Sequence, residues 1–200
     1  MSKTTVQKRI DSTKQYVDTL MDLHSKLNVV RVDLGYKKDE ETKKTEISLD
    51  EATQDFNRML NNRRGKPSIF ENQVGYIAKK EYTEDKGIHI HTCFFYDGQK
   101  IQKDSFKASQ IGEYWEQITK ERDGIHHNCN KDKKKYKNVG IGMVDYKDSE
   151  KRKVLDEIVI PYMCKDDQDI GALKGNKRSK AFTRGIVTKK KSTKGRPREQ

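Results

Sequence analysis

Two histidines one residue apart, in His89-Ile90-His91, are the side chains of this sequence best suited to hold a metal ion. They lie within Gly87-Ile88-His89-Ile90-His91-Thr92-Cys93-Phe94-Phe95-Tyr96, whose β-branched and aromatic residues favour a strand. A strand's two-residue period places both imidazoles on one face and Ile90 on the other. That makes a two-nitrogen clamp on a rigid support.

A third donor is available just upstream. Glu81 lies on the strand candidate Val74-Gly75-Tyr76-Ile77-Ala78-Lys79-Lys80-Glu81-Tyr82, which returns through the polar turn Thr83-Glu84-Asp85-Lys86-Gly87. If those five residues form the loop, Tyr82 pairs with Ile88 and Glu81 faces His89, with Cβ atoms about 5 Å apart. A four-residue loop would send Glu81 to the opposite face. His126, His127 and Cys129 also sit together, in an expected loop, but lack a fourth ligand at ordinary spacing and are not expected to bind metal.

A divalent ion polarises a phosphodiester, yet cleavage still needs an attacking group. Tyr-x-x-Lys occurs twice, as Tyr76-Ile77-Ala78-Lys79 and as Tyr162-Met163-Cys164-Lys165. Tyr76 and Lys79 fall on a strand, where residues three apart point to opposite faces. Tyr162 and Lys165 fall at the end of an expected helix, where that spacing shares a face. Only the second pair can cooperate, with Lys165 holding a phosphate or lowering the pKa of the phenol. An amphipathic core tyrosine followed by a helix-end charge would show the same spacing.

Charge points to the partner. The chain has 43 Lys and Arg against 31 Asp and Glu, a net charge of +12, so it attracts polyanions and should bind nucleic acid with strong salt dependence. Lys79, Lys80, Arg178, Lys180 and Arg184 are the expected DNA grips. In the tail, Lys194-Gly195-Arg196-Pro197-Arg198 is similar to the Gly-Arg-Pro core of AT-hook peptides, which lay an arginine pair in the minor groove. No apolar run reaches membrane-spanning length and Met1-Ser2-Lys3-Thr4-Thr5 lacks a secretory hydrophobic segment, so a cytoplasmic protein with no membrane partner is expected. Cys93, Cys129 and Cys164 show no paired spacing and read as reduced thiols, Cys93 and Cys164 as core fillers.

The elements that must position these residues follow from periodicity. Residues 1–26 read as a helical lead-in, 27–186 as one folded domain and 187–200 as a disordered basic tail. Leu27 to Tyr36 suits a central strand, and Ser48-Leu49-Asp50-Glu51 is a capping box opening a helix that buries Leu49, Ala52, Phe56, Met59 and Leu60. Further helices are expected at about Ser105 to Glu121 and Ser149 to Cys164, the latter with Val154, Leu155, Ile158 and Val159 inward. Further strands are expected at Val139 to Tyr146 and Ala181 to Ile186. The order β-α-β-β-α-β-α-β predicts an α+β fold: a central antiparallel sheet of about five strands, helices on one face, the other face open for a ligand.

Taken together, Glu81, His89-Ile90-His91, the aromatic strand ending Asp97-Gly98 and the distant Tyr162-x-x-Lys165 resemble the HUH endonucleases that start rolling-circle replication, particularly single-tyrosine Rep proteins. Val29 to Leu34, Pro161 to Gln168 and Phe182-Thr183-Arg184-Gly185 look like the filamentous-phage and prophage branch, and the resemblance covers residues 27–186. It implies Glu81, His89 and His91 as ligands of magnesium or manganese, Tyr162 as nucleophile and Lys165 as its assistant. It further implies nicking and joining of single-stranded or origin DNA through a 5′-phosphotyrosine bond, in a bacterial host that supplies helicase and polymerase. Asp166-Asp167-Gln168 follow the motif, so two-tyrosine mechanisms are disfavoured. The competing readings are a non-catalytic DNA-binding module, a transposase or relaxase with the same chemistry, and an iron oxygenase. Oxygenase ligands come from more widely separated strands.

Overall fold

The computed structural model describes residues 4–42, 45–165 and 180–187. Helix α1 (Thr5–Leu23) starts at Thr4, whose hydroxyl accepts the Gln7 N–H, and turns Tyr16, Val17, Leu20 and Met21 inward. Strand β1 (Lys26–Tyr36) is the central one. It pairs antiparallel with β3 (Gly87–Asp97), with β4 (Gly124–Asn128) at one end and with β5 (Gly142–Asp145) at the other. On the far side of β3 lie β2 (Gln73–Thr83) and β6 (Phe182–Arg184), giving the order β4-β1-β3-β2-β6 with β5 beside β1.

The expected α+β architecture is therefore formed, as a six-stranded antiparallel sheet with helices packed on a face. The even-numbered residues Val30, Val32, Leu34, Ile88, Ile90, Phe94 and Tyr96 point to that face. There they meet α2 (Leu49–Asn61), α3 (Pro67–Phe70) and α4 (Asp104–Ile118). The capping box forms as read: the Ser48 hydroxyl accepts the Glu51 N–H at 3.2 Å and the Glu51 carboxylate accepts the Ser48 N–H at 2.9 Å. Leu49, Ala52, Phe56 and Met59 are buried.

The second face, expected to be open, is partly covered. Leu27, Val29, Ile77, Cys93 and Phe95 pack there against α1 and a C-terminal helical run. That run comprises α5 (Ser149–Val154), a π-helical turn (Leu155–Val159) and α6 (Ile160–Cys164). In the π turn the Ile160 N–H reaches back five residues to the Leu155 carbonyl, and Pro161, which has no N–H to donate, follows at once. The wider turn changes the helix phase, so Leu155 and Val159 are buried while Ile158, expected inward, is 44% exposed.

Two expectations for the loops change. Gly124–Asn128, read as loop, pairs with β1 through Ile125↔Gly35 and His127↔Asp33, because β1 outruns β5 and leaves its edge free for a partner. The strand expected over Val139 to Tyr146 is confined to Gly142–Asp145, where Gly142 adopts a φ of 81° at the entry. Cys93, Cys129 and Cys164 are all free and buried, as expected.

Candidate active site

The β2–β3 turn settles which face Glu81 takes. Thr83 pairs with Gly87 and Tyr82 with Ile88, so Glu81 lies directly across from His89. With His91 two residues on, all three side chains stand on the second face, in the stretch that α1 leaves uncovered. Their ligating atoms lie within 4.8 Å of one another, and all three residues are buried. Glu81 Oε2 is 3.2 Å from His91 Nε2 and 3.7 Å from His89 Nε2.

The other ring nitrogens are already engaged. His89 Nδ1 donates to the Gly87 carbonyl at 3.1 Å and His91 Nδ1 to Asp33 Oδ1 at 2.7 Å. Each bond fixes its ring and turns Nε2 toward Glu81, the orientation that metal-ligating histidines use. Two imidazole nitrogens and a carboxylate oxygen suit a divalent ion, so the cluster could hold one.

The electrostatics are strongly coupled. Burial raises the Glu81 pKa, but the His89 and His91 imidazoles and the Lys79 ammonium overcome it and hold this carboxyl far below its ordinary range. Burial likewise opposes a charge on His91, yet hydrogen bonds to Asp33 and Glu81 outweigh it and raise its pKa above the ordinary imidazole value. Asp33 is held low against its own burial by His91 and Arg31.

Tyr162 arrives from the opposite wall on α6, with its hydroxyl 3.3 Å from His91 Nε2. Lys165, just past the end of α6, places its ammonium 3.3 Å from Glu81 Oε1 and 4.6 Å from the centre of the Tyr162 ring. The motif pair and the metal cluster thus meet at one point. Burial pushes the Tyr162 phenol up, and the Arg31 guanidinium works against that rise. The other tyrosine–lysine pair separates as its strand position requires: Tyr76 packs against Phe56 and Phe94 on the far face.

Two of the expected DNA grips, Lys79 and Lys80, are not at the surface. Lys79 is fully buried and bonds Glu81 Oε1 at 2.7 Å, because it shares the Glu81 face and α6 covers it. Lys80 is also buried, donates to the Lys180 carbonyl at 2.9 Å, and is pulled down to about 8 by burial. The Arg184 guanidinium binds the Ser12 carbonyl and lies over the Tyr16 ring, tying β6 to α1. Lys180 is exposed, while Arg178, Arg196 and Arg198 lie outside the described residues.

A cleft of about 560 Å³ opens beside the histidines, lined by Gly35, Ile125 and His127 with Lys37, Lys38 and Lys86 at its margin. His126 at its wall is bonded to Glu116 at 2.8 Å and joins no metal cluster among the described residues. Sequence reading missed Arg31 and Asp33, the two charged residues at alternate positions of the aliphatic strand β1. Charge inside such a run is the signal that would have found them. Among the described residues no helix is long and apolar enough to cross a membrane.

No curated protein and no solved structure matches this sequence. The model of one family, the YagK/YfjJ C-terminal domain, matches residues 1–185, from α1 through the sheet to β6. The chain that builds this site is therefore a member of the YagK/YfjJ C-terminal domain family.

Proposed function

We propose that the protein is a metal-dependent endonuclease that nicks and rejoins single-stranded DNA with Tyr162 as nucleophile, in the manner of a rolling-circle replication initiator. One observation carries this reading: the Tyr162 hydroxyl lies 3.3 Å from a nitrogen of the Glu81–His89–His91 cluster. A half-buried phenol beside three donors that could hold a metal, with cations at its ring, is the equipment that phosphoryl transfer to tyrosine needs. A net charge of +12 supports a polyanionic substrate.

Glu81, His89 and His91 would hold the ion, magnesium or manganese in our reading. Bound there, it would supply Lewis-acid polarisation of the phosphate oxygens. Asp33 holds the His91 ring in place, and Lys79 holds the Glu81 carboxylate. Tyr162 gives its proton to solvent water, which returns one to the leaving 3′ oxygen, and the tyrosine oxygen bonds to phosphorus. The P–O3′ bond breaks and the 3′ oxygen leaves with a proton, so the strand ends in a free 3′-hydroxyl and a 5′-phosphotyrosine. Rejoining is the reverse, and no nucleotide is hydrolysed.

The test is a pool of single-stranded DNA of randomised sequence, labelled at its 3′ end and incubated with Mn2+. A labelled adduct that survives denaturing electrophoresis is expected, lost in Tyr162→Phe and kept in Tyr76→Phe. An adduct formed by Tyr162→Phe would remove this nucleophile. If the native protein forms no adduct with either Mn2+ or Mg2+, the endonuclease reading fails.

A further inference from the structure

We infer that Arg31 is a catalytic residue of this site, a guanidinium that receives the non-bridging oxygens of the phosphate transferred to Tyr162. The inference rests on the endonuclease reading above and adds to it an anion-binding group that neither the histidine motif nor the tyrosine motif contains.

Arg31 stands on β1, on the same face as Asp33 and opposite Cys93 of β3. Its guanidinium carbon lies 4.5 Å from the centre of the Tyr162 ring, as near as the Lys165 ammonium at 4.6 Å. Two cations therefore bracket one phenol. Only 15% of the Arg31 side chain is exposed, so its charge has largely left water.

Apart from the Tyr162 phenol, with which the guanidinium interacts, its partners among the described residues leave that buried fork incomplete. The closest carboxylate oxygen, Asp33 Oδ2, is 3.7 Å away, too far for a hydrogen bond. The other oxygen of Asp33 is taken by His91 at 2.7 Å. The Arg31 Nε–H is buried with no hydrogen-bond partner among the described residues. An arginine has five donors in a planar fork, and burying them unsatisfied is costly unless a ligand completes the set. Phosphate oxygens match that fork in a way that a single carboxylate at 3.7 Å does not.

The local charge agrees. Among the described residues, Arg31 and Lys165 set their charges against the Tyr162 ring, at 4.5 and 4.6 Å from its centre. A phosphodiester brings one negative charge and gains a second as the tyrosine oxygen bonds to phosphorus and the 3′ oxygen begins to leave. Cations fixed beside the phenol interact most strongly with that more anionic state, which raises the rate more than the ground-state affinity. No oxidant or further reactant enters the step.

The experiment uses the full chain with Mn2+ and a single-stranded oligonucleotide recovered from the adduct of the native protein. Arg31→Ala should form adduct on the order of 100-fold more slowly in a single turnover, the scale seen when one oxyanion-stabilising donor is lost. Its affinity for the oligonucleotide should fall by less than about tenfold. Added guanidinium should restore at least about tenfold of the rate in Arg31→Ala, while ethylammonium restores little and neither affects the native protein; a fold-supporting side chain would show no such rescue. Arg31→Met keeps the packing stem and guards against misfolding, and should be as slow as Arg31→Ala. If either variant reacts within about threefold of the native rate, or guanidinium rescues nothing, Arg31 does not hold the phosphate, and adduct formation by the native protein leaves the endonuclease reading intact.

Discussion

The Tyr162 hydroxyl and the His91 Nε2 nitrogen lie 3.3 Å apart, although 71 residues separate them in the chain. The nitrogen is the one His91 leaves free for an ion, since Asp33 holds its Nδ1 at 2.7 Å. Nucleophile and ligand set therefore share a boundary, and perturbing either should be read out at the other.

Removing ligands should abolish metal binding in a graded way. By calorimetry, His89→Ala, His91→Ala and Glu81→Ala should each lose most Mn2+ affinity, and Asp33→Asn should weaken it about 10- to 100-fold through loss of ring orientation. Unchanged affinity in the His89→Ala, His91→Ala double variant would remove the clamp.

Metal affinity should rise with pH over a range displaced upward from that of an ordinary histidine. His91 binds an ion only when neutral, and its bonds to Asp33 and Glu81 raise its pKa, so protons compete with metal to a higher pH than usual. Asp33→Asn removes one of the raising partners and should move the midpoint of an affinity-against-pH curve downward. A midpoint that stays where it was would show that Asp33 does not control this proton.

The buried pair Lys79–Glu81, at 2.7 Å, should couple strongly in stability. Glu81→Ala takes the nearest carboxylate from a fully buried ammonium and should cost about 3 kcal/mol in urea unfolding with chelator present. Adding Lys79→Met to Glu81→Ala should recover part of that loss. Strictly additive effects would mean that the two charges do not depend on one another.

Away from the site, Ser48→Ala should cost about 1 kcal/mol by opening the capping box of α2, with no change in Mn2+ affinity. Circular dichroism melts check the first half and calorimetry the second. A simultaneous loss of metal binding would tie α2 to the site in a way its packing on the other face does not suggest.

Much of this was legible before any coordinates. Alternation placed His89 and His91 together, since that depends only on strand period, while the face of Glu81 hung on a turn length that only the Glu81↔His89 register fixes. Helix spacing likewise separated Tyr162 from Tyr76. What stayed hidden depended on three-dimensional neighbours. Lys79 and Lys80 look like surface charge in the sequence and are buried because α6 and the segment at Ala181 cover them. Arg31 and Asp33 lie in a strand whose apolar residues dominate its pattern, and only the pairing of Asp33 with His91 and the approach of the Tyr162 ring to Arg31 give them a role. β4 has few strand-forming residues and exists because β1 offers an unfilled edge.

The π turn at Leu155–Val159 has a consequence for tolerance to change. It carries an additional residue relative to ordinary winding, so excising one residue there would let a regular helix resume with Tyr162 still facing the imidazoles, whereas excising one from a regular turn of α5 would rotate everything beyond it by about 100°. In that second case the phenol would swing away with every side chain of the pocket still present. Aim at this centre is set by how the backbone is wound, so a single-codon deletion within the π turn should be forgiven where the same deletion one turn earlier is not.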